Sequence, residues 1–87
     1  MQITVHLFAT LRQQAGWKEN TIDVPTGATV GDLLRHLEQN FATLHLVGRS
    51  LYAAVNQEYA QLDQVLQPGD EVALFPPVSG GYSAASF

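Results

Sequence analysis

Alternation of apolar and polar residues predicts two neighbouring strands at the start of the chain. From Gln2 to Phe8 every second residue is aliphatic, as in a strand with one buried face. A second such segment runs from Glu19 to Val24 and is followed by turn residues. A short helix is predicted between them at residues 9–15, where Gly16 can end it. Because the two strands are close in sequence, we expect them to pair.

The clearest helical pattern begins after Thr29. Its hydroxyl can cap the first turn, and Asp32, three residues further on, completes the pattern of a capping box. Apolar residues then follow at i, i+3, i+4 and i+7 and form a single stripe, which consists of Val30, Leu33, Leu34 and Leu37. The helix is predicted to end near residues 39–40. Such a helix can cover only one face of a sheet.

The second half of the chain is richer in turn signals. The predicted order is a connection at residues 41–50, a third strand at 51–56, a turn at 56–58, a short helical turn at 62–66, a turn at 68–70 and a last strand at 71–75. We therefore expect an α+β roll, a mixed sheet of four or five strands with the main helix packed across one face. Phe75 alternates with the inward residues of the last strand, so it is predicted on the uncovered face as part of a docking patch.

Composition narrows the classes of function. The chain has 87 residues, enough for one domain, and its net charge of −4 argues against nucleic-acid binding. It contains no cysteine, which excludes disulfides and thiol catalysis. No apolar run approaches the roughly twenty residues of a membrane span, and the first residues show strand alternation and no signal peptide. We expect a cytoplasmic protein without a membrane partner.

The side chains that could carry chemistry do not form a catalytic or metal-binding pattern. His6, His36 and His45 lack metal-ligand spacing, so we predict no metal site. Asp70 and Glu71 are neighbours on a strand and point to opposite faces, unlike a general acid and base. The sequence therefore predicts a protein that is not an enzyme by itself and binds no cofactor.

The C-terminal segment is the most informative part of the sequence. The last strand stops at Pro76-Pro77, which cannot donate to a sheet, and Val78-Ser79 then lead to Gly80-Gly81. Two glycines can pass through a channel that would exclude any Cβ atom. The dipeptide alone is equally consistent with an end that has no role.

Other segments along residues 2–81 favour a functional C-terminal end over one with no role. Their order and spacing resemble the MoaD family, which is the small subunit of molybdopterin synthase and belongs to the ubiquitin-like sulfur carriers. The matching blocks are Leu7 to Arg12, Gly16, Pro25 to Val30, Ala54 to Glu58, Pro68 to Leu74, and Pro76 to Gly81. The final block is the most specific of these.

The resemblance implies a β-grasp (ubiquitin-like) fold and a defined chemistry. In the family the carboxylate of the last glycine, here Gly81, is adenylated by an ATP-dependent activating enzyme and converted to a thiocarboxylate. It then donates sulfur to cyclic pyranopterin monophosphate inside the large catalytic subunit of the synthase, in molybdenum cofactor biosynthesis. By this resemblance Gly80 and Ser79 thread the tail, Phe75 and Val78 contact partners, and Pro76-Pro77 keep the exit extended.

Residues 82–87 depart from the family pattern, which ends at the glycine pair. While they remain, residue 81 carries an amide and no free carboxylate. We therefore expect a sulfur-carrier domain at 1–81 and a C-terminal extension at 82–87 that a processing peptidase removes. Alternatives stay open: a carrier for thiamin, cysteine or tRNA thiolation, a protein modifier joined to lysines, or a β-grasp interaction module that carries no sulfur.

Overall fold

A mixed sheet with helices on one side forms the frame of the protein. The computed structural model describes residues 1–46 and 51–76. Its elements are β1 (Gln2–Leu7), α1 (Thr10–Ala15), β2 (Glu19–Asp23), α2 (Val30–Asn40), β3 (Tyr52–Val55), β4 (Glu58–Ala60) and β5 (Glu71–Phe75). Within these residues the sheet has five strands in the order β2-β1-β5-β3-β4. β1 and β5 are parallel, and all other neighbours are antiparallel. The predicted α+β class, the mixed sheet and the pairing of the first two strands are confirmed.

The core lies between the sheet and α2. The sheet contributes aliphatic residues at alternate positions, and α2 contributes the stripe predicted from its spacing; all are 3% exposed or less. They are Ile3, Val5, Leu7, Val72 and Leu74 from the sheet, and Val30, Leu33, Leu34 and Leu37 from the helix. A strand with a period of two and a helix with a period of 3.6 thus present matching apolar surfaces.

The start of α2 has every backbone donor satisfied by the protein itself. Thr29 and Asp32 form the predicted capping box. The segment after β4 supplies two further acceptors, so the first turn is closed to an outside ligand. The four bonds are Val30 N–H to Gln64 O at 3.0 Å, Gly31 N–H to Leu62 O at 2.9 Å, Asp32 N–H to Thr29 Oγ1 at 3.1 Å, and Leu33 N–H to Thr29 O at 3.0 Å.

Two predictions for the second half of the chain are wrong. Residues 62–66 do not form a helical turn; they make a simple turn at 62–63 and a bridge between Val65 and Thr29. The bonds to the start of α2 hold them in an extended path. Glu58 belongs to a strand, β4, and only Asn56 and Gln57 form the turn, both with positive φ (51° and 73°). Such a two-residue turn matches the twist of a hairpin.

Candidate functional site

The face of the sheet opposite α2 is uncovered and carries aromatic residues at the end where β5 stops. The register places Phe75 opposite Tyr52, and Ala54 between Tyr59 and Ala73. Ala73 and Phe75 alternate with the buried Val72 and Leu74, so the row of residues that pairs with them points away from the core. Tyr52 is 53% exposed and Tyr59 is 82% exposed. We call this surface the open face; it comprises His6, Phe8, Tyr52, Ala54, Tyr59, Ala73 and Phe75.

Two aromatic pairs give the open face its shape. The rings of Phe8 and Phe75 stack with centroids 4.6 Å apart and an interplanar angle of 13°. Tyr52 and Tyr59 meet edge to face, with centroids 6.2 Å apart. Both arrangements are favourable for aromatic rings. Paired rings form an ordered apolar surface that a partner can meet without first ordering each side chain.

A groove of about 460 Å³ runs across this face. Ala54 and Ala73 form its floor because their small side chains leave room between larger neighbours. The stacked pair Phe8 and Phe75 lies at the end where the chain leaves β5, and Glu71 lies at the other. An apolar floor with polar groups at one end is typical of a binding surface.

His6 joins two carboxylates at the polar end of the groove. Its Nε2 lies 3.2 Å from Glu71 Oε1, and its Nδ1 lies 3.8 Å from Glu19 Oε1. The imidazole is 30% exposed. His6 is on the outward face of its strand, as predicted, but it contacts neighbouring side chains and is not fully solvated.

A hydrogen-bond network fixes the first residue of β5 and therefore the direction of the whole strand. Asn56 Oδ1 accepts from Glu71 N–H at 3.0 Å, and Asn56 Nδ2 donates to Asp70 Oδ1 at 2.9 Å. The other oxygen of Asp70 accepts from Gln67 N–H at 2.8 Å. Because β5 starts from a fixed turn, its last residues arrive beside Phe8 in a fixed register.

The structure tests only part of the predicted site. Phe75 lies on the open face as predicted, and Pro76 follows it, partly buried, just after the last ladder residue. The other predicted residues, Pro77, Val78, Ser79, Gly80 and Gly81, lie outside the described residues.

Sequence reasoning missed three aromatic residues of this surface. Phe8, Tyr52 and Tyr59 were not assigned to the docking patch. Phe8 lies two residues after the outward-facing His6, so the alternation of β1 already predicts that Phe8 lies on the same face. Tyr59 lies on a strand that was not predicted, and its position follows only from pairing with Ala54.

Other types of site find no support in residues 1–46 and 51–76. There, no group of three or more histidine, aspartate or glutamate side chains is arranged to hold a metal ion. In the same residues no helix has the length and apolar character needed to span a bilayer. Within these residues the open face is the surface that combines a groove with exposed aromatic rings.

Comparison with known proteins gives a consistent result. A family described as "ThiS family" matches residues 5–81. The molybdopterin synthase sulfur carrier subunit of Chlamydomonas reinhardtii is 42% identical over 83 residues, which cover 93% of this chain and 100% of that protein. The subunit of the same name from Homo sapiens is 41% identical and is matched over 92% of this chain and 94% of its own.

Solved structures agree with the sequence matches. The crystal structure of SAMP1 from Haloferax volcanii superposes with a TM-score of 0.79 at 36% identity, covering 93% of this chain and 100% of that one. A chain from the complex of subunits 1 and 2 of the molybdopterin-converting factor of Helicobacter pylori has a TM-score of 0.64 at 25% identity, with 93% and 100% coverage. The predicted β-grasp, ubiquitin-like roll is confirmed by these likenesses.

Proposed function

We propose that this chain, which belongs to the ThiS family, is the sulfur carrier subunit of a molybdopterin synthase. The observation that carries the proposal is that β5 ends at the open face, and that the sequence after it runs on to the glycine pair within the family match. β5 brings Phe75 and Pro76 to the edge of the open face, and five further residues lead to the glycine at which the family match ends. The relatives that match nearly the whole chain bear the same functional name.

The proposed chemistry takes place at the terminal acyl group of Gly81. A carboxylate is a poor electrophile, so its oxygen first attacks the α-phosphorus of ATP on an activating enzyme and releases pyrophosphate. Hydrosulfide, supplied by a sulfur source, then adds to the carbonyl carbon and displaces AMP, which leaves a thiocarboxylate. That sulfur is donated to cyclic pyranopterin monophosphate in the large subunit. ATP belongs to the partner enzyme, and this chain holds no cofactor of its own.

Each tail residue has a role in this proposal. Gly81 carries the sulfur, and Gly80 passes through the narrowest part of a channel in the partner, since glycine adds no Cβ. Ser79, with its small side chain, follows it into the channel. Pro77 and Pro76 hold the exit extended because their φ angles are fixed. Val78 and Phe75 add apolar contact at the channel entrance.

The open face is the surface we assign to the partner proteins. The large catalytic subunit docks there, and the complex of two molybdopterin-converting factor subunits from Helicobacter pylori supports a two-subunit assembly. The ATP-dependent activating enzyme must reach the same terminus, so the two partners bind in turn. The aromatic residues at the centre of the open face are suited to be the main contacts with both partners.

Residues 82–87 have to be removed before this chemistry starts. While they are attached, residue 81 ends in an amide and has no free carboxylate. Four of the six residues, Ser83 to Ser86, are serine or alanine, which suits cleavage of this segment by a peptidase. We place the processing and the sulfur transfer in the cytoplasm. Mass spectrometry of the protein from its native cell tests this step: a species that ends at residue 81 is expected, and the full-length mass alone would contradict it.

The function is tested with a chain that ends at Gly81 and its Gly81→Ala variant. The first should gain the mass of one sulfur in place of oxygen when it is incubated with the activating enzyme, ATP and a sulfur source, and it should co-purify with a large synthase subunit. Gly81→Ala should lose sulfur loading or transfer and keep its fold. An unchanged transfer rate for Gly81→Ala would contradict the threading role.

A protein modifier is the second candidate function. The specific observation in its favour is the match to the small archaeal modifier protein SAMP1, whose TM-score of 0.79 accompanies 36% identity. The two functions share the activated glycine and differ in what attacks it. Adducts with an isopeptide bond between residue 81 and lysines of other proteins would favour the modifier, whereas a thiocarboxylate consumed only in the presence of a large subunit favours the sulfur carrier.

A further inference from the structure

The strand β4 forms one edge of the sheet, and Tyr59 at its centre presents backbone groups to the outside. Asn56 donates its N–H to Glu71 O at 2.8 Å, so at this residue β3 bonds toward β5. Bonding along a strand alternates between its two neighbours, so Val55 bonds toward β4 through Glu58. The N–H and C=O of Tyr59, the next residue of β4, therefore point to the free side. Within residues 1–46 and 51–76 no strand lies beyond β4 in the sheet.

Apolar side chains surround this edge. Among the described residues four large apolar side chains are half or more exposed, and three of them, Tyr52, Tyr59 and Leu62, lie on or beside β4. A groove of about 270 Å³ follows the strand and is lined in part by Ala53, Ala60 and Leu62. Residues 57–62 contain no lysine, arginine or proline, the residues that commonly protect sheet edges. Exposed apolar surface of this kind marks a site of association.

A second copy of β4 fits this edge in an antiparallel arrangement. With a two-fold axis at Tyr59, the N–H of each Tyr59 donates to the C=O of the other. Glu58 of one copy then lies opposite Ala60 of the other, so no two like charges face each other along the strand. The same apolar surroundings meet on both sides of the axis. The edge is therefore complementary to itself.

The opposite edge of the sheet, β2, lacks this complementarity. Its sequence begins with Glu19 and ends with Asp23, and both side chains are exposed. Antiparallel pairing of two β2 strands about Thr21 places Glu19 of one copy opposite Asp23 of the other. Like charges directly opposite each other destabilise a strand pair. Of the two edges, β4 is the one suited to a second copy of the chain.

We propose that the chain associates with a second copy of itself through β4, so that the two sheets form one continuous sheet. The axis is perpendicular to the sheet, so both open faces lie on the same side and the two β5 strands point in opposite directions. Phe8 and Phe75 lie two or more strands from the contact and stay accessible to a larger partner. This association does not depend on the sulfur chemistry.

The dimer is expected to be weak. β4 has three residues, and in this register two backbone hydrogen bonds cross the contact. Interfaces below about 1,200 Å² are typical of weak or transient complexes. We therefore expect a dissociation constant of about 100 μM, which calls for measurements at high protein concentration.

Sedimentation equilibrium of the full chain by itself tests the proposal. Between about 10 μM and about 1 mM protein, the fraction of chains in dimers should rise from about 15% to about 80%. A chain that remains monomeric at the highest concentration would overturn the proposal. So would a monomer that uses this edge for a large synthase subunit instead, detected as binding to that subunit that Tyr59→Lys abolishes. Sulfur loading plays no part in these measurements, so the proposed function and the dimer fail separately.

Charge variants of Tyr59 locate the two-fold axis. The side chain is 82% exposed, so Tyr59→Lys and Tyr59→Glu should both keep the fold, which circular dichroism checks. Each variant places two like charges across the axis, with Cα atoms about 5.5 Å apart, and should associate about tenfold more weakly than the parent chain. An equal mixture of the two should recover association, because opposite charges then meet where residue 59 faces itself.

Thr21→Lys, at the centre of the other edge, is the matched control. Thr21 is exposed on β2, and the variant should associate as the parent chain does. Equal weakening by Thr21→Lys and Tyr59→Lys would overturn the assignment to β4. Unchanged association of either Tyr59 variant, or a mixture that fails to recover it, would do the same.

Discussion

The two faces of the sheet are built from the same strands and serve different purposes. On the covered face Val72 and Leu74 are fully buried beneath α2, and on the open face Ala73 and Phe75, their neighbours in sequence, are only partly buried. Alternation along β5 therefore assigns successive residues to stability and to recognition. This separation lets a small domain present apolar rings to a partner while its own core stays closed.

The largest expected effect lies on the covered face, in Leu34→Ala. Leu34 is 3% exposed within the apolar stripe of α2, so truncation removes buried methyl groups and leaves a cavity. The free energy of unfolding should fall by about 2–5 kcal/mol. Urea denaturation followed by the fluorescence of Trp17, the single tryptophan, measures it. Gln39→Ala on the exposed side of α2 is the matched control and should stay within about 0.5 kcal/mol; equal losses in both variants would contradict the assignment of the faces.

The sequence predicts a feature of either face well when local residues determine it, and poorly when distant contacts do. The cap at Thr29, the stripe of α2 and the outward position of Phe75 follow from local periodicity, and all three are confirmed. Local signals are sufficient there because the partners are within one turn or one strand.

The predictions failed where distant contacts decide the structure. Residues 62–66 have helical spacing, but their carbonyls satisfy the N–H groups of α2, which lie more than thirty residues earlier. Tyr59 joins the open face only because β4 pairs with β3. The contacts of His6 with Glu19 and Glu71 likewise depend on the order of the strands. None of these contacts has a periodic signal in the sequence.

On the open face, Phe75→Ala should affect binding more than folding. Loss of the ring removes its stacking on Phe8 and the apolar contact offered to the large subunit. We expect affinity for that subunit to fall about 30-fold, the effect of losing about 2 kcal/mol at a central aromatic contact. Titration calorimetry measures the affinity, with thermal unfolding as the check on the fold. Leu74→Ala, one residue away on the other face, should reverse the order of the two effects; an unchanged affinity for Phe75→Ala would remove Phe75 from the interface.

The smallest expected effect is the pH dependence of stability that Asp32 produces at the start of α2, on the helix side of the sheet. The backbone N–H of Thr29 lies 3.0 Å from Asp32 Oδ2, and the Arg35 guanidinium and the Thr29 hydroxyl add to it; together they hold the pKa of Asp32 below its usual 3.8. Because the folded state lowers this pKa, the ionised carboxylate stabilises the fold above about pH 3.8, and that contribution disappears as the pH falls through the folded value. The difference in unfolding free energy between the parent chain and Asp32→Asn should therefore be largest near neutral pH and shrink in acid. Urea titrations at a series of pH values from neutral to strongly acidic measure it.

Thr29→Ala keeps the backbone N–H, which is the main cause of the shift, so it should lose cap stability but keep most of the pH dependence. A difference that stayed constant with pH would show that the capping carboxylate contributes nothing through its charge.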